Sequence, residues 1–242
     1  MNRREFVFGA AGGVLTWIMN FTGARADGVV DDILSVQKDL ENRKRAFDAV
    51  FVDKMLGYDK PYSMLFGFVA LDCPNCQEWL NQRQSVLSAL ADKKRFFLHP
   101  VAPSFIKNGR SMPMPVTEVI YAMMLSKRYG PTSRSIVNVA KVMGEVINET
   151  KSNNMSVDQV FDHLSARGIN LDPEVRELMG TDAVLIRYWK AVDVFLGMDL
   201  DVVPVLVSLK PERAISFAGN MDKFMALSDK ILSLSLDLNI KE

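Results

Sequence analysis

Apolar residues change their spacing several times along the chain, and each change marks an element. From Ser63 to Leu71 (SMLFGFVAL) the positions are almost continuously apolar, the pattern of a central strand covered on both faces. Arg95–Ala102 (RFFLHPVA) reads as a second strand. Between them, Trp79, Leu80, Val86, Leu87 and Leu90 recur at helical spacing and predict a helix over Gln77–Lys93. Upstream, Ile33, Val36, Leu40, Phe47, Val50 and Phe51 predict a helix from Val29 to about Asp53, broken by Gly57, Asp59 and Pro61. Between Pro113 and Met198 there is no strand pattern. Helices are expected over Val116–Arg128, Ser133–Thr150, Ser156–Arg167 and Asp172–Leu196, the last in one or two pieces. Gly130-Pro131, Ser152-Asn153-Asn154 and Gly168 separate them. Val202–Leu209 is a strand entered through a proline, Lys210–Arg213 a turn, and Ala214–Ala218 a short strand ended by Gly219. A helix from Met221 to about Leu236 closes the chain. The order strand–helix–strand, helical block, strand–strand–helix defines an α/β protein.

A chain of 242 residues fits one domain with an insertion, or at most two small domains. Hydrophobic content of 48% and charged content of 24% are ordinary for a globular protein and exclude a disordered chain. Lys plus Arg and Asp plus Glu are 29 each, so no overall field points to nucleic acid or to an acidic partner. Lys93-Lys94-Arg95 reads as a solvated helix end before a strand.

The first 26 residues change that picture, because they read as a targeting segment outside the fold. Arg3 and Arg4 precede a mild apolar run from Phe8 to Met19, and Ala24-Arg25-Ala26 is a small-x-small exit. The paired arginines followed by Glu5 and Phe6 resemble a bacterial twin-arginine signal, although the lysine often found after the phenylalanine is missing. Ordinary secretion is the other route. An uncleaved anchor competes, since Phe6–Thr22 lies at the bottom of the spanning range. The expected location is the periplasm. Loss of Arg3, Arg4, Arg25 and Glu5 would leave the mature chain slightly acidic. The expected division is 1–26 signal, 27–60 N-terminal helix and linker, 61–103 first part of the sheet domain, 104–198 helical insertion and 199–242 second part.

Only two cysteines are present, Cys73 and Cys76, in the run Asp72-Cys73-Pro74-Asn75-Cys76 between the first strand and the first helix. A dithiol switch needs one thiolate to attack and a second thiol to release the mixed disulfide. At the start of a helix, unpaired N–H groups favour a thiolate at Cys73, and Cys76 lies less than one turn deeper as the resolving thiol. Pro74 suits a first helical turn, where no N–H is needed. Two other readings of the pair compete. A structural disulfide would close a very short loop and gain little from chain entropy. Half of a metal site would need further ligands, and neither His99 nor His163 sits at ligand spacing. No metal and no cofactor is expected.

The run Leu65-Phe66-Gly67-Phe68-Val69-Ala70-Leu71-Asp72-Cys73-Pro74-Asn75-Cys76, the following strand, the long helical insertion and Val203-Pro204-Val205-Leu206-Val207 resemble the DsbA-type family of thiol–disulfide interchange proteins. Ser156–Leu209 is similar to that family's insertion leading into its cis-proline loop. The resemblance spans roughly Pro61 to Leu236. It implies a thioredoxin-like fold with an inserted helical subdomain. It implies Cys73 as nucleophile, Cys76 as resolving cysteine, and Val203-Pro204 as a substrate-facing loop with a cis bond. The helix Val29–Asp53 is similar to one that some members use to oligomerise, but Arg43 and Lys44 sit in its seam, which favours packing on its own domain. Many strongly oxidising members carry His where Asn75 stands, and an aromatic residue where Asp72 stands. Asn75 brings no cation, and Asp72 opposes a thiolate by like-charge repulsion. Cys73 is therefore expected to be less acidic, and its disulfide less oxidising, than in those members. Asp72 as a plain N-cap is the equal alternative.

His99 ends a strand near the core and reads as structural, as does His163 on a helix of the insertion. Met112 and Met114, on a Pro-rich loop, read first as packing and second as the lining of a peptide groove. The function expected is a redox enzyme acting on cysteines of other exported proteins and recycled by a redox partner, with oxidase, reductase and isomerase not distinguished. A rival is a chaperone or assembly factor that binds one partner and leaves the dithiol silent or regulatory. Copper delivery would need a neighbouring His or Met motif to complete the site.

Overall fold

The computed structural model describes residues 64–101, 112–197, 202–209, 212–217 and 219–237. The targeting segment, the expected helix Val29–Asp53 and residues 102–111 lie outside these residues. Four strands and seven helices follow in the order β1 Leu65–Val69, α1 Pro74–Asp92, β2 Phe96–Pro100, α2 Pro115–Leu125, α3 Arg134–Thr150, α4 Val157–Ala166, α5 Pro173–Leu178, α6 Asp182–Gly197, β3 Val205–Leu209, β4 Glu212–Ser216 and α7 Met221–Asp237.

The strands form one mixed sheet in the order β2-β1-β3-β4. β1 and β2 run parallel, Leu65 opposite Phe96 and Val69 opposite Pro100. A parallel pair needs a crossover, and α1 supplies it. β3 lies antiparallel on the other side of β1, Leu65 opposite Ser208, and β4 pairs antiparallel with β3. All five residues of β1 are buried. Its neighbours on both edges and the layers on both faces explain the unbroken apolar run.

The alternation of side chains assigns the two faces. On one, Phe66 and Phe68 meet Phe97 and His99 of β2, and Phe68 packs on Phe195 of α6. Tyr121 of α2 donates its hydroxyl to Pro100 O at 2.8 Å. The helical block between β2 and β3 covers this face. On the other face, Trp79 of α1 meets Phe96 and Phe224 edge-on and donates Nε1–H to Ser228 Oγ of α7 at 2.9 Å. Arg83 and Asp229 form a two-point ion pair beside it. Gly67 permits the close approach of α1, because a Cβ there would stand 2.8 Å from Phe96 Cζ and 3.1 Å from Trp79 Cη2.

Most elements stand where the pattern placed them, with ends adjusted by local chemistry. Ser133, Ser156 and Asp172 are the N-caps of α3, α4 and α5, and Ser156 forms a capping box with Gln159. The expected helix Val116–Arg128 stops at Leu125, because the Ser126 hydroxyl donates to Met123 O and accepts from Tyr129 N–H. The segment Asp172–Leu196 divides into α5 and α6 around Gly180, whose φ of +75° a helix does not allow. The strand expected over Val202–Leu209 starts at Val205. Of the turn expected over Lys210–Arg213, Glu212 and Arg213 instead pair with Leu209 and Ser208 in the sheet, and residues 210–211 lie outside the described residues. The polar residues that signalled a turn belong to an edge strand, where such residues are common. Lys93 and Lys94 are the exposed helix end expected of them, whereas Arg95 is half-buried and donates Nη1–H to Ser235 O at 2.8 Å.

Candidate active site

β1 delivers the chain into the site. After Val69 the ladder ends, and the Leu71-Asp72 turn is closed by Cys73 N–H donating to Ala70 O at 3.2 Å. Cys73 is the residue that caps α1, with extended backbone and no side-chain cap hydrogen bond, and Pro74 occupies the first helical position. The helix begins three residues earlier than the apolar spacing alone suggested. This corrects the alternative in which Asp72 caps the helix: Asp72 stands one residue outside, and its carboxylate accepts from Asn153 Nδ2 of the insertion at 3.5 Å.

The two sulfurs sit in different surroundings. Cys76 is buried and its Sγ accepts from Ala70 N–H at 3.4 Å. Cys73 is half-buried. The two sulfurs are close but not joined. The Cys76 thiol, donating to the Cys73 sulfur, is the largest influence that lowers the Cys73 pKa to about 6. The N–H groups of Cys76 and Asn75 assist, while burial and the Asp72 charge oppose. Burial first, and then Cys73, push the Cys76 thiol well up. The arrangement thus holds one thiolate near neutrality and one protonated thiol in contact with it. The N–H groups and the Asp72 charge act in the directions expected from the sequence, Asp72 most weakly, and the Cys76 thiol is the influence that the sequence reading did not include.

The Val203–Pro204 bond is cis, as expected. Val203 O lies 3.8 Å from Cys73 Sγ, within reach of the thiol across 130 positions of sequence. Pro204 is buried, and Val202 is 38% exposed. Asn75 is half-buried and Pro74 exposed. The structure therefore brings Asp72, Cys73, Cys76 and Val203 together.

His99 is fully buried, and burial, aided by the Arg187 charge, lowers its pKa to about 3. It is a neutral core imidazole among Phe66, Phe68 and Tyr121. His163 lies in the last turn of α4. Among the described residues, no three His, Cys, Asp or Glu side chains are grouped to hold a metal ion, and no helix is long and apolar enough to cross a membrane.

Gln77 is a site residue that the sequence reading missed. It is 5% exposed and donates Nε2–H to Leu71 O at 3.2 Å, bracing the turn before Cys73. Its side chain occupies the space that Gly144 of α3 leaves, since a Cβ at Gly144 would fall 1.6 Å from Gln77 Nε2. Gly144→Ala should therefore displace Gln77 and destabilise the protein by about 1–3 kcal/mol, read as a lower urea midpoint at unchanged slope. Nothing in the sequence around Cys76 marks Gln77 as buried, because the space it fills is set by Gly144 on another helix.

A cleft of about 380 Å³, counting its open mouth, begins at Leu71 and Asp72. Val101 continues it on the sheet side, and Met112, Met114 and Tyr188 face it from the insertion. Met114 packs against the core, in keeping with its first reading, whereas Met112 is 60% exposed. Compared with known proteins, the chain matches no protein-family model and no curated protein.

Proposed function

We propose that this chain is a thiol–disulfide oxidoreductase with a thioredoxin-like, DsbA-like fold, acting on cysteines of exported proteins. The observation that carries this reading is the asymmetry of the sulfurs: a half-buried Cys73 whose pKa falls to about 6, in contact with a buried, protonated Cys76. A structural staple has no use for that difference, whereas exchange requires it. The strand order β2-β1-β3-β4, with a helical block between β2 and β3 and the dithiol where β1 meets α1, supports the fold assignment.

The chemistry needs no cofactor. The Cys73 thiolate attacks one sulfur of a substrate disulfide, and the other sulfur leaves as a thiolate that takes a proton from solvent. Cys76 then loses its proton and attacks the Cys73 sulfur. The Cys73–Cys76 disulfide forms, and the substrate's second thiolate leaves. Two electrons have passed from protein to substrate. The reverse sequence oxidises a client dithiol, and a redox partner of opposite poise completes the cycle. In this reading Val203, whose carbonyl lies beside Cys73, lines the bound substrate chain together with Pro204. The N-terminal segment supports export and a periplasmic location.

Equilibration with glutathione redox buffers tests the reading. The protein should pass between dithiol and disulfide in one two-electron transition and should catalyse disulfide exchange in a model peptide. A pair that forms no intramolecular disulfide and catalyses no exchange would overturn it, leaving a partner-binding protein as the alternative.

A further inference from the structure

We propose that Gln77 is a positioning residue for the dithiol: its side-chain amide, wedged between the Leu71 carbonyl and Gly144 of the insertion, holds the turn that keeps the two sulfurs in contact. The inference rests on the oxidoreductase reading for its use in exchange. It adds a residue, and a link from the insertion to the reacting sulfurs.

The segment Ala70–Asp72 joins β1 to Cys73, and each of its residues is tied down. Ala70 N–H donates to Cys76 Sγ at 3.4 Å, and Ala70 O accepts from Cys73 N–H at 3.2 Å. Leu71 O accepts from Gln77 Nε2 at 3.2 Å. The Asp72 carboxylate accepts from Asn153 Nδ2 at 3.5 Å. Gln77 also donates its main-chain N–H to Cys73 O at 3.0 Å. One residue therefore grips the chain on both sides of Asp72. Without the Leu71 bond, the dihedrals on either side of the Leu71–Asp72 peptide are soft, and their rotation carries Cys73 away from Cys76.

The amide itself shows that its donor end is used. Its Oε1 is buried and, among the described residues, has no hydrogen-bond partner. An unpaired buried acceptor is unfavourable, and a methionine would fill such a space without one. Packing alone therefore does not account for an amide here, whereas the bond to Leu71 O does. Gly144 fixes where the amide lies. α1 and α3 pack against each other, and a Cβ on Gly144 would overlap Nε2, Cδ and Oε1 of Gln77. A helix of the insertion thus seats the amide against the turn that carries Cys73.

The sulfur contact is what this turn protects. Asp72 is the charge acting on Cys73, and Cys76 is the other titratable group. The Cys76 thiol has the larger influence, and a hydrogen bond weakens steeply when its angle is lost.

The test is alkylation of the reduced protein with iodoacetamide across a pH series, beside urea unfolding of the same samples. Gln77→Met should move the Cys73 midpoint up by about one unit, so that alkylation below the midpoint slows about tenfold. The urea midpoint should change little, since one unpaired buried acceptor, Leu71 O, replaces another. With Cys76→Ala already present, Gln77→Met should move the Cys73 midpoint no further, because the thiol through which it acts is gone. Gly144→Ala, which displaces the amide without altering it, should move the midpoint in the same direction as Gln77→Met. An unchanged Cys73 midpoint in folded Gln77→Met overturns the proposal. So does a shift of equal size with and without Cys76. Should Gln77→Met not fold, Gly144→Ala decides: an unmoved midpoint there overturns the proposal equally. Alkylation needs no disulfide substrate. Failure of the wild type to exchange with glutathione would sink the oxidoreductase reading and leave these midpoints standing.

Discussion

With Cys76 replaced by serine, the reduced protein should attack a disulfide substrate and remain joined to it. Cys73 keeps its place at the start of α1, and the serine hydroxyl can still donate to its sulfur, so the first attack survives. What disappears is the second sulfur. In the proposed cycle the resolving attack is intramolecular, which is worth many orders of magnitude over an external thiol at ordinary concentration. Turnover should fall at least about a hundredfold on that ground, and mass spectrometry should find one substrate half-molecule bound per protein. Cys73→Ser should give no adduct at all. An adduct that forms on Cys76 in the Cys73→Ser variant, at the wild-type rate, would reverse the assignment of nucleophile and resolving thiol.

The second large effect concerns pH. Only the thiolate attacks, so alkylation of Cys73 should climb as pH rises through about 6 and level off above 7. The direction follows from the sign of the shift: a lowered pKa means that the reactive form persists down to lower pH than in an ordinary thiol, whose pKa is ~8.5. Cys76→Ala removes the largest influence that lowers it, the thiol donor, and retains the N–H groups of Cys76 and Asn75. The midpoint should move up. Below the midpoint, each unit of that movement reduces the thiolate fraction about tenfold. Asp72→Asn should move the midpoint slightly down, because its charge is the weakest of the opposing influences. Stopped-flow alkylation with iodoacetamide from pH 4 to 9 measures all three curves. A wild-type midpoint near that of an ordinary thiol would remove the account given of the site.

The sheet and the dithiol were legible from the sequence for different reasons. β1 was readable because burial on both faces demands an unbroken apolar run. α1 was readable from Trp79, Leu80, Leu87 and Leu90, all buried as their spacing required. The caps Ser133, Ser156 and Asp172 marked helix starts with little error, because capping is chemistry between near neighbours. What failed was mostly of another kind. The N–H groups of the helix start and the Asp72 charge were legible as influences on Cys73, whereas the largest influence is the neutral Cys76 thiol, whose effect depends on side-chain direction. The grip of Asn153 on Asp72 joins residues 81 positions apart and leaves no local trace. The space for Gln77 is set by a glycine on a separate helix. Glu212 and Arg213 were misread as turn residues because an edge strand tolerates polar residues that a central strand excludes.

The long insertion between β2 and β3 has a consequence for the order in which the protein takes shape. A chain made from its N-terminus completes β1, α1 and β2 early, with both thiols in hand. The residue whose carbonyl faces Cys73 comes 130 positions later, and the serine that satisfies Trp79 comes 149 positions later. Until then β1 lacks its antiparallel neighbour, and the α7 side of α1 is open to water. Contacts that join such distant parts form slowly, because the intervening chain must be ordered first. The dithiol thus stands ahead of its enclosure in chain order, with Val203 and Ser228 still to come.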